Sequence, residues 1–126
     1  MMKTSEMVLN FLRQQGFIPE VDEGGNIDFK YQMASFVFIN NDEDEEFFQL
    51  MMPCIFDVTD DNCDMVMEAA NKVNRQIKVV KACVINDSVW LLFESLLDHS
   101  PEVSDIIPRA LNILQGARRQ FYEEMS

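Results

Sequence analysis

The sequence predicts an α+β domain in which helices pack on an antiparallel sheet of about five or six strands. Residues 66–77 carry apolar or small side chains every three or four positions, which is typical of a helix with one buried face. Residues 79–85 and 89–93 follow as apolar, β-branched runs separated by turn residues, which indicates a β-hairpin. Several shorter apolar runs precede the helix, divided by glycine-rich or acidic turns. The predicted order of elements is α-β-β-β-β-α-β-β-α.

The first residues predict a helix followed by an edge strand. Thr4 or Ser5 can cap the helix, and Gly16 ends it. Residues 17–22 contain Pro19, which cannot donate to a sheet ladder and is therefore typical of an edge strand. We expect this helix to lie at the edge of the sheet, with the central and last helices packed against it.

Three more strands are predicted before the central helix. Residues 27–33 alternate apolar and polar side chains, as in a strand with one solvated face. Residues 36–39 are apolar on both faces. After the acidic loop 40–45, residues 47–52 predict a strand that Pro53 ends.

The two later helices each have a start signal and an apolar stripe. Ser100 can cap the last helix, with Pro101 at its first position. Pro108 falls inside this helix and predicts either a kink or a start nearer Ser104. Three side chains can cap the central helix: Asp60, Asp61 and Asn62. The apolar stripe of the central helix comprises Val66, Ala69, Ala70, Val73 and Ile77, and that of the last helix Val103, Ile106, Ile107, Ala110, Leu114, Ala117 and Phe121.

Length and composition favour one domain. The chain has 126 residues, of which 48% are apolar, and this is enough for one hydrophobic core, so we expect residues 1–126 to form a single domain. No apolar run approaches the roughly 20 residues of a membrane span, and the N-terminus lacks a signal-peptide pattern. The cysteines Cys54, Cys63 and Cys83 form no CxxC pair, which favours reduced thiols and a cytoplasmic location.

The charge is large and unevenly distributed. A net charge of −12 disfavours nucleic acid and anionic membranes as partners, because both would be repelled. No basic residue lies between Lys30 and Lys72, whereas the acidic run 42–46 lies inside that window. A basic cluster follows at the end of the central helix: Lys72, Arg75, Lys78 and Lys81. This asymmetry can steer a partner, although solubility is the simpler interpretation.

Two runs of sequence are informative together: EAANKVNRQIKVVKA at 68–82 and VWLLFESLLD at 89–98. With the opening, in which a helix ends at Gly16 and IDFKY follows at 27–31, they resemble the YbjN-type family, described as bacterial sensory-transduction regulators. The resemblance implies the fold of the type III secretion chaperones, which are small acidic dimers that hold extended segments of client proteins. It implies a non-enzymatic binding role and carries over no catalytic residue.

Catalytic and metal sites have weak support in the sequence. His99 is the single histidine, so any Cys–His or Ser–His pair would need it, and a surface or capping role is the simpler interpretation. Residues 60–64 begin like a calcium loop, D-x-N-x-D, but Met65 and Asn71 stand where that loop needs glycine and glutamate. We therefore predict no catalytic residue, no metal and no cofactor.

The central helix carries the predicted interaction residues. Met65 and Met67 point about 200° apart on a helix, so both cannot lie on one narrow core stripe. One of the two is therefore expected at the surface or in an interface, where methionine suits varied apolar partners, although core filling is the simpler role. The predicted interaction residues are Met65, Met67, Ala70 and Asn74.

The favoured function is a non-enzymatic, chaperone-like module that binds a protein or peptide partner. It would hold an extended segment through an apolar groove or a sheet edge, with acidic flanks favouring basic clients, and would act as a homodimer. Three alternatives remain open. They are a dedicated regulatory subunit that binds one folded partner, an enzyme, and a small-ligand sensor.

Overall fold

A computed structural model describes residues 2–126 as three helices and six strands. In chain order these are α1 (Thr4–Gln14), β1 (Glu20–Val21), β2 (Ile27–Tyr31), β3 (Ala34–Phe38), β4 (Phe47–Asp57), α2 (Cys63–Gln76), β5 (Val80–Ile85), β6 (Ser88–Leu96) and α3 (Val103–Met125). The predicted α+β class and the predicted order of elements are both confirmed.

The strands form one antiparallel sheet in the spatial order β1-β2-β3-β4-β6-β5. β4 and β6 are the long central pair, and within residues 2–126 the chain makes one crossover connection, from β4 through α2 to β5. α3 packs against both α1 and α2 and contacts β4, β5 and β6. No helix within residues 2–126 combines the length and apolar character needed to cross a membrane.

One face of the sheet and the three helices enclose the hydrophobic core. Along β2, β3 and the first half of β4 alternate residues are buried, because successive side chains point to opposite faces. In β6 the residues Val89, Leu91 and Phe93 belong to the core, and Leu92 on the opposite face is buried as well. Phenylalanines fill much of this inner face, and their rings meet at centroid distances of 5.5–5.9 Å. The core residues of the strands include Ile27, Phe29, Phe36, Phe38, Phe48, Leu50, Met52, Val89, Leu91 and Phe93. The predicted stripes of α2 and α3 face the same core.

The β5–β6 hairpin follows the predicted turn chemistry. Asn86 and Asp87 have φ angles of 50° and 62°, and a two-residue turn with both angles positive matches the twist of the flanking strands. Ser88 already belongs to β6, where its hydroxyl donates to the Phe56 carbonyl at 3.2 Å. β6 also runs further than predicted, to Leu96.

The predicted end of the fourth strand at Pro53 is wrong. β4 continues to Asp57, and the ladder with β6 shifts register between Met52 and Phe56. Cys54 has a φ of 52°, so the chain bulges here and Pro53 needs no ladder hydrogen bond. A proline therefore marks a bulge in a central strand rather than its end.

The alternating pattern predicted a second strand that extends to Met33, but β2 ends at Tyr31. Gln32 and Met33 have φ angles of 49° and 67°, and they form the turn between β2 and β3. Because strands that pair across a two-residue turn must reverse there, β3 begins at Ala34, earlier than the predicted residue 36. The edge strand predicted at 17–22 is present as the two residues of β1.

The helices begin near their predicted positions but with different caps. Thr4 is the first residue of α1, and its N–H is capped by Glu45 of the acidic loop, with Thr4 N 2.7 Å from Glu45 Oε1. Asn62 occupies the predicted cap position of α2, yet its side chain accepts from the Thr59 N–H instead. Ser100 does not cap α3. The helix begins at Val103, which agrees with the alternative prediction of a start nearer Ser104.

Candidate functional site

The second face of the sheet, here called the outer face, carries apolar side chains that the helices do not cover. Val37, Met51, Trp90 and Leu92 lie on it, because their neighbours along each strand point into the core. None of these four residues belongs to the core cluster or to the side chains packed against it. We call them the outer patch.

The ladder register makes the outer patch continuous. Val37 of β3 pairs with Met51 of β4, and Met51 pairs with Leu92 of β6. Trp90 lies two residues from Leu92 and pairs with Cys83 of β5. Leu92 is buried and the other three members are half-buried, so the members shield each other. An apolar row on the solvated face of an antiparallel sheet is unusual, since such faces are normally polar.

Trp90 holds an unsatisfied polar atom within this patch. Its indole N–H is buried and has no hydrogen-bond partner within residues 2–126. By register the indole stands opposite the β4 bulge, between the Leu91–Met52 and Val89–Phe56 pairs. A buried, unpaired donor costs about 1–3 kcal/mol, so this N–H offsets part of the stabilisation that burial of the ring provides.

A charged network that crosses β5, β6 and β4 borders the patch beyond Leu92. Lys81 Nζ lies 2.6 Å from Glu94 Oε1, and the Gln49 amide donates to Glu94 Oε2 at 2.7 Å. The hydrogen bond to Glu94, followed by the charge of that carboxylate, raises the pKa of the Lys81 ammonium. The patch therefore ends in a polar border two residues beyond Leu92 along β6.

At its other end the patch opens into a groove of about 680 Å³. Ile18 and Pro53 contribute apolar walls, and Ile18 is 87% exposed. Asp28, Lys30 and Val37 line the groove as well, which joins it to the outer face. The polar lining of this groove is both acidic and basic.

The groove borders an unpaired stretch of strand β2. β1 pairs with β2 only at Glu20–Asp28 and Val21–Ile27. Asp22 N–H donates to the Asn26 carbonyl across this pair, so by alternation the backbone groups of Lys30 also point outward. Within residues 2–126 no backbone or side-chain partner reaches them. A free strand edge beside an apolar groove can add an extended peptide.

The residues predicted from the central helix are placed in different surroundings. Met65 and Met67 are 51% and 55% exposed, so both reach the surface, on opposite flanks of α2. Ala70 is buried among the chain's own core residues. Asn74 reaches across to β5, where its side chain bonds both backbone groups of Ala82. Their part in an interaction stays a prediction.

The residues considered for catalysis or metal binding are dispersed. His99 Nδ1 lies 2.8 Å from Glu46 Oε1, in a small hollow whose described lining contains no cysteine. Cys54 and Cys63 are exposed, and Cys83 is half-buried on the outer face. The Asn62 amide donates to the Asp57 carbonyl, so it supports the loop before α2. Within residues 2–126 no three metal-ligating side chains come together.

The residues of the outer patch are not among the predicted interaction residues, although the sequence holds a signal for this patch. Residues 36–39 and 89–93 are apolar without alternation, which indicates strands with apolar side chains on both faces. Since the helices cover one face only, the second apolar face remains on the surface. Ile18 and the open edge at Lys30 had no such signal, because they depend on how β1 pairs.

The fold and the patch define a small α+β protein whose sheet is covered by helices on one face and carries an uncovered apolar patch on the other. Residues 3–115 match the family model described as T3SS (YopN, CesT) and YbjN peptide-binding chaperone 1. Because this match spans most of the 126 residues, the chain belongs to that family, and the predicted YbjN-type resemblance is confirmed. A comparison with curated proteins gave no match.

Proposed function

We propose that this protein is a non-enzymatic, chaperone-like module that holds an extended segment of a client protein. The segment would add to the open edge of β2 and extend its apolar side chains into the groove and onto the outer patch. Membership of a family of peptide-binding chaperones supports the general role. The observation that carries the proposed location is the free backbone of Lys30 beside the groove lined by Ile18 and Pro53.

The charge of the protein supports a preference for basic clients. The net charge is −12, and Glu20 and Asp28 line the groove together with a single cation, Lys30. Such a field attracts a positively charged segment and accelerates its association, and salt weakens the effect because it screens the exposed charges. Nucleic acid and anionic lipid surfaces would be repelled by the same field.

The proposal includes a homodimer in the cytoplasm, formed from single domains that comprise residues 1–126. One hydrophobic core that includes all three helices supports the single domain.

A dedicated regulatory subunit that binds one folded partner remains the second candidate function. The two are separated by affinity capture from the source cell, since a dedicated subunit would retrieve one protein in fixed ratio and a client-holding module would retrieve several.

Fluorescence anisotropy with two labelled peptides tests the proposal directly. Both peptides have about ten residues and the same apolar residues at alternate positions, with lysine between them in one and glutamate in the other. We expect the lysine peptide to bind more tightly, with a difference that shrinks as salt is added. The proposal fails if neither peptide binds, or if both bind equally.

A pair of charge-neutral variants locates the binding. Ile18→Ser removes an exposed apolar side chain from the groove, and we expect it to weaken the lysine peptide roughly tenfold, about 1.4 kcal/mol. Met33→Ser is the matched control, because Met33 is 101% exposed but lies in the β2–β3 turn, outside the residues that line the groove. Equal losses in the two variants would place the peptide elsewhere.

A further inference from the structure

The two edges of the sheet differ in whether another strand can reach them. At the β2 edge the backbone of Lys30 is open. At the β5 edge the backbone groups of alternate residues point away from β6. Ile85 and Ser88 flank the two-residue turn and form a hydrogen-bonded pair. By alternation Cys83 also bonds β6, and Ala82 points away from it. The outward N–H and carbonyl of Ala82 are not free, since a side chain from α2 forms hydrogen bonds with both.

Asn74 bonds this edge in the way a neighbouring strand would. The Ala82 N–H donates to Asn74 Oδ1 at 2.6 Å, and Asn74 Nδ2 donates to the Ala82 carbonyl at 3.3 Å. A primary amide carries one acceptor and two donors, so it can satisfy both groups of a single edge residue at once. The amide also stands where the backbone of an added strand would lie, since that backbone needs the same hydrogen-bond distance.

We propose that Asn74 closes the β5 edge against strand addition and thereby leaves the β2 edge as the place where an extended segment can join the sheet. Ala82 is the middle of the three outward-facing residues of β5, the others being Val80 and Val84. A blocked centre interrupts any ladder along this short strand. Asn74 is thus a specificity-determining residue that acts by exclusion, and its action at β5 does not depend on whether peptides bind in the groove.

Lysines near this edge act in the same direction. Lys78 and Lys81 flank the start of β5, and Lys81 is held by Glu94 across the outer face. Charged side chains at a sheet edge discourage pairing with a second copy. They do not fill the hydrogen-bonding positions of Ala82, however, so removal of the Asn74 amide alone should open the edge.

Site-resolved amide hydrogen exchange on the complete protein tests the closure. Asn74→Ala should accelerate exchange of the Ala82 amide at least about tenfold, which corresponds to the loss of one hydrogen bond. Asn71→Ala is the matched control, because Asn71 is an exposed asparagine on the same helix and makes no side-chain hydrogen bond within the described residues. Alanine is also the strongest helix former, so both variants should keep α2. Unchanged exchange at Ala82 in Asn74→Ala would overturn the proposal.

Light scattering tests the exclusion itself. Asn74→Ala should raise the mass above that of the wild-type protein in a concentration-dependent manner, and Asn71→Ala should not. The double variant Asn74→Ala/Val84→Pro should return to the wild-type mass, because proline at Val84 removes an outward N–H without breaking a bond to β6. If Asn74→Ala does not associate, or if Val84→Pro does not reverse the association, Asn74 does not prevent strand addition at the β5 edge.

A second substitution keeps the test valid if Asn74→Ala folds poorly. Asn74→Leu has nearly the shape of asparagine and no hydrogen-bonding atoms, so it removes the two bonds while the helix retains a bulky side chain. We expect faster exchange at Ala82 in this variant too. Wild-type exchange there would show that shape rather than hydrogen bonding protects the amide, and the proposal would be wrong.

Discussion

The two faces of the sheet are apolar for different reasons. On the inner face Phe36, Phe48 and Leu91 are buried under the helices and belong to one core cluster. On the outer face Met51 and Trp90 alternate with these residues along the same strands, yet they lie outside that cluster and are half-buried. One set of side chains has partners within the chain, and the other set has only its immediate neighbours.

This difference separates stability from binding within the same strands. Burial of an apolar side chain contributes to folding in proportion to the area removed from water, so the inner residues stabilise the fold most. A contiguous apolar patch left on the surface is instead typical of a docking site. Substitutions on the two faces of one strand should therefore have different consequences. Those on the inner face should lower folding stability, and those on the outer face should weaken binding.

The largest expected effect is on the inner face of β4. Phe48→Ala removes a fully buried ring that contacts Phe38 and Phe93, and we expect it to lower the free energy of unfolding by about 4 kcal/mol. Met51→Ala, three residues further along on the outer face, should cost about 1 kcal/mol because its side chain is only half-buried. Urea denaturation of both variants measures the two values. Similar losses would mean that the two faces do not differ in this way.

A buried charge on α2 should have the next largest effect. Ala70→Asp places a carboxylate among core residues, and we expect a loss of about 3 kcal/mol or more, since an unpaired buried charge is strongly unfavourable. Asn71→Asp adds the same charge at the next, exposed position and should change stability by less than about 0.5 kcal/mol. Thermal unfolding compares the pair. If Ala70→Asp kept its melting temperature, the buried face of α2 would be assigned wrongly.

Much of the fold could be predicted because each element carried its own local signal. The periodic stripe at 66–77 specified α2, and the turn residues Asn86 and Asp87 specified the hairpin. The prediction that β4 ends at Pro53 was wrong because a proline ends a strand only where its N–H would be needed by the partner strand. A bulge at this position removes that need. Glu45 as the cap of α1 could not be predicted, since the carboxylate comes from a loop 41 residues away along the chain.

The candidate site was predicted less completely because it depends on which faces remain uncovered. Exposure of both methionines on α2 was only half anticipated, and Asn74 was selected without its role at the β5 edge being apparent. The alternation of a strand gives the composition of each face, but it does not say which face the helices cover. That choice is made by tertiary packing, so the sequence indicates two apolar faces but does not show which one stays uncovered.

Trp90 gives a spectroscopic measure of the outer face. It is the single tryptophan of the chain, so its fluorescence reports on the patch alone. A peptide that covers the patch should shift the emission to shorter wavelength, because the indole leaves contact with water. An apolar peptide that binds without changing the emission would lie away from Trp90, and the proposed extent of the surface from the groove to β6 would then be too large.

The smallest expected effect is a change in the reactivity of one thiol. Cys83 pairs with Trp90 on the outer face, whereas Cys63 lies at the start of α2 and Cys54 in the β4 bulge. A bound segment on the patch should slow modification of Cys83 by a thiol reagent several-fold and leave Cys63 unchanged, because a thiol must be accessible to react.

Mass spectrometry of peptides from the modified protein resolves the three sites. Cys83 is half-buried, so we expect it to react more slowly than the exposed thiols even without peptide, and the informative quantity is the ratio of its rates with and without peptide. Equal protection of Cys63 and Cys83 would indicate a general tightening of the protein rather than occupation of one face, and the distinction between the faces would lose its functional meaning.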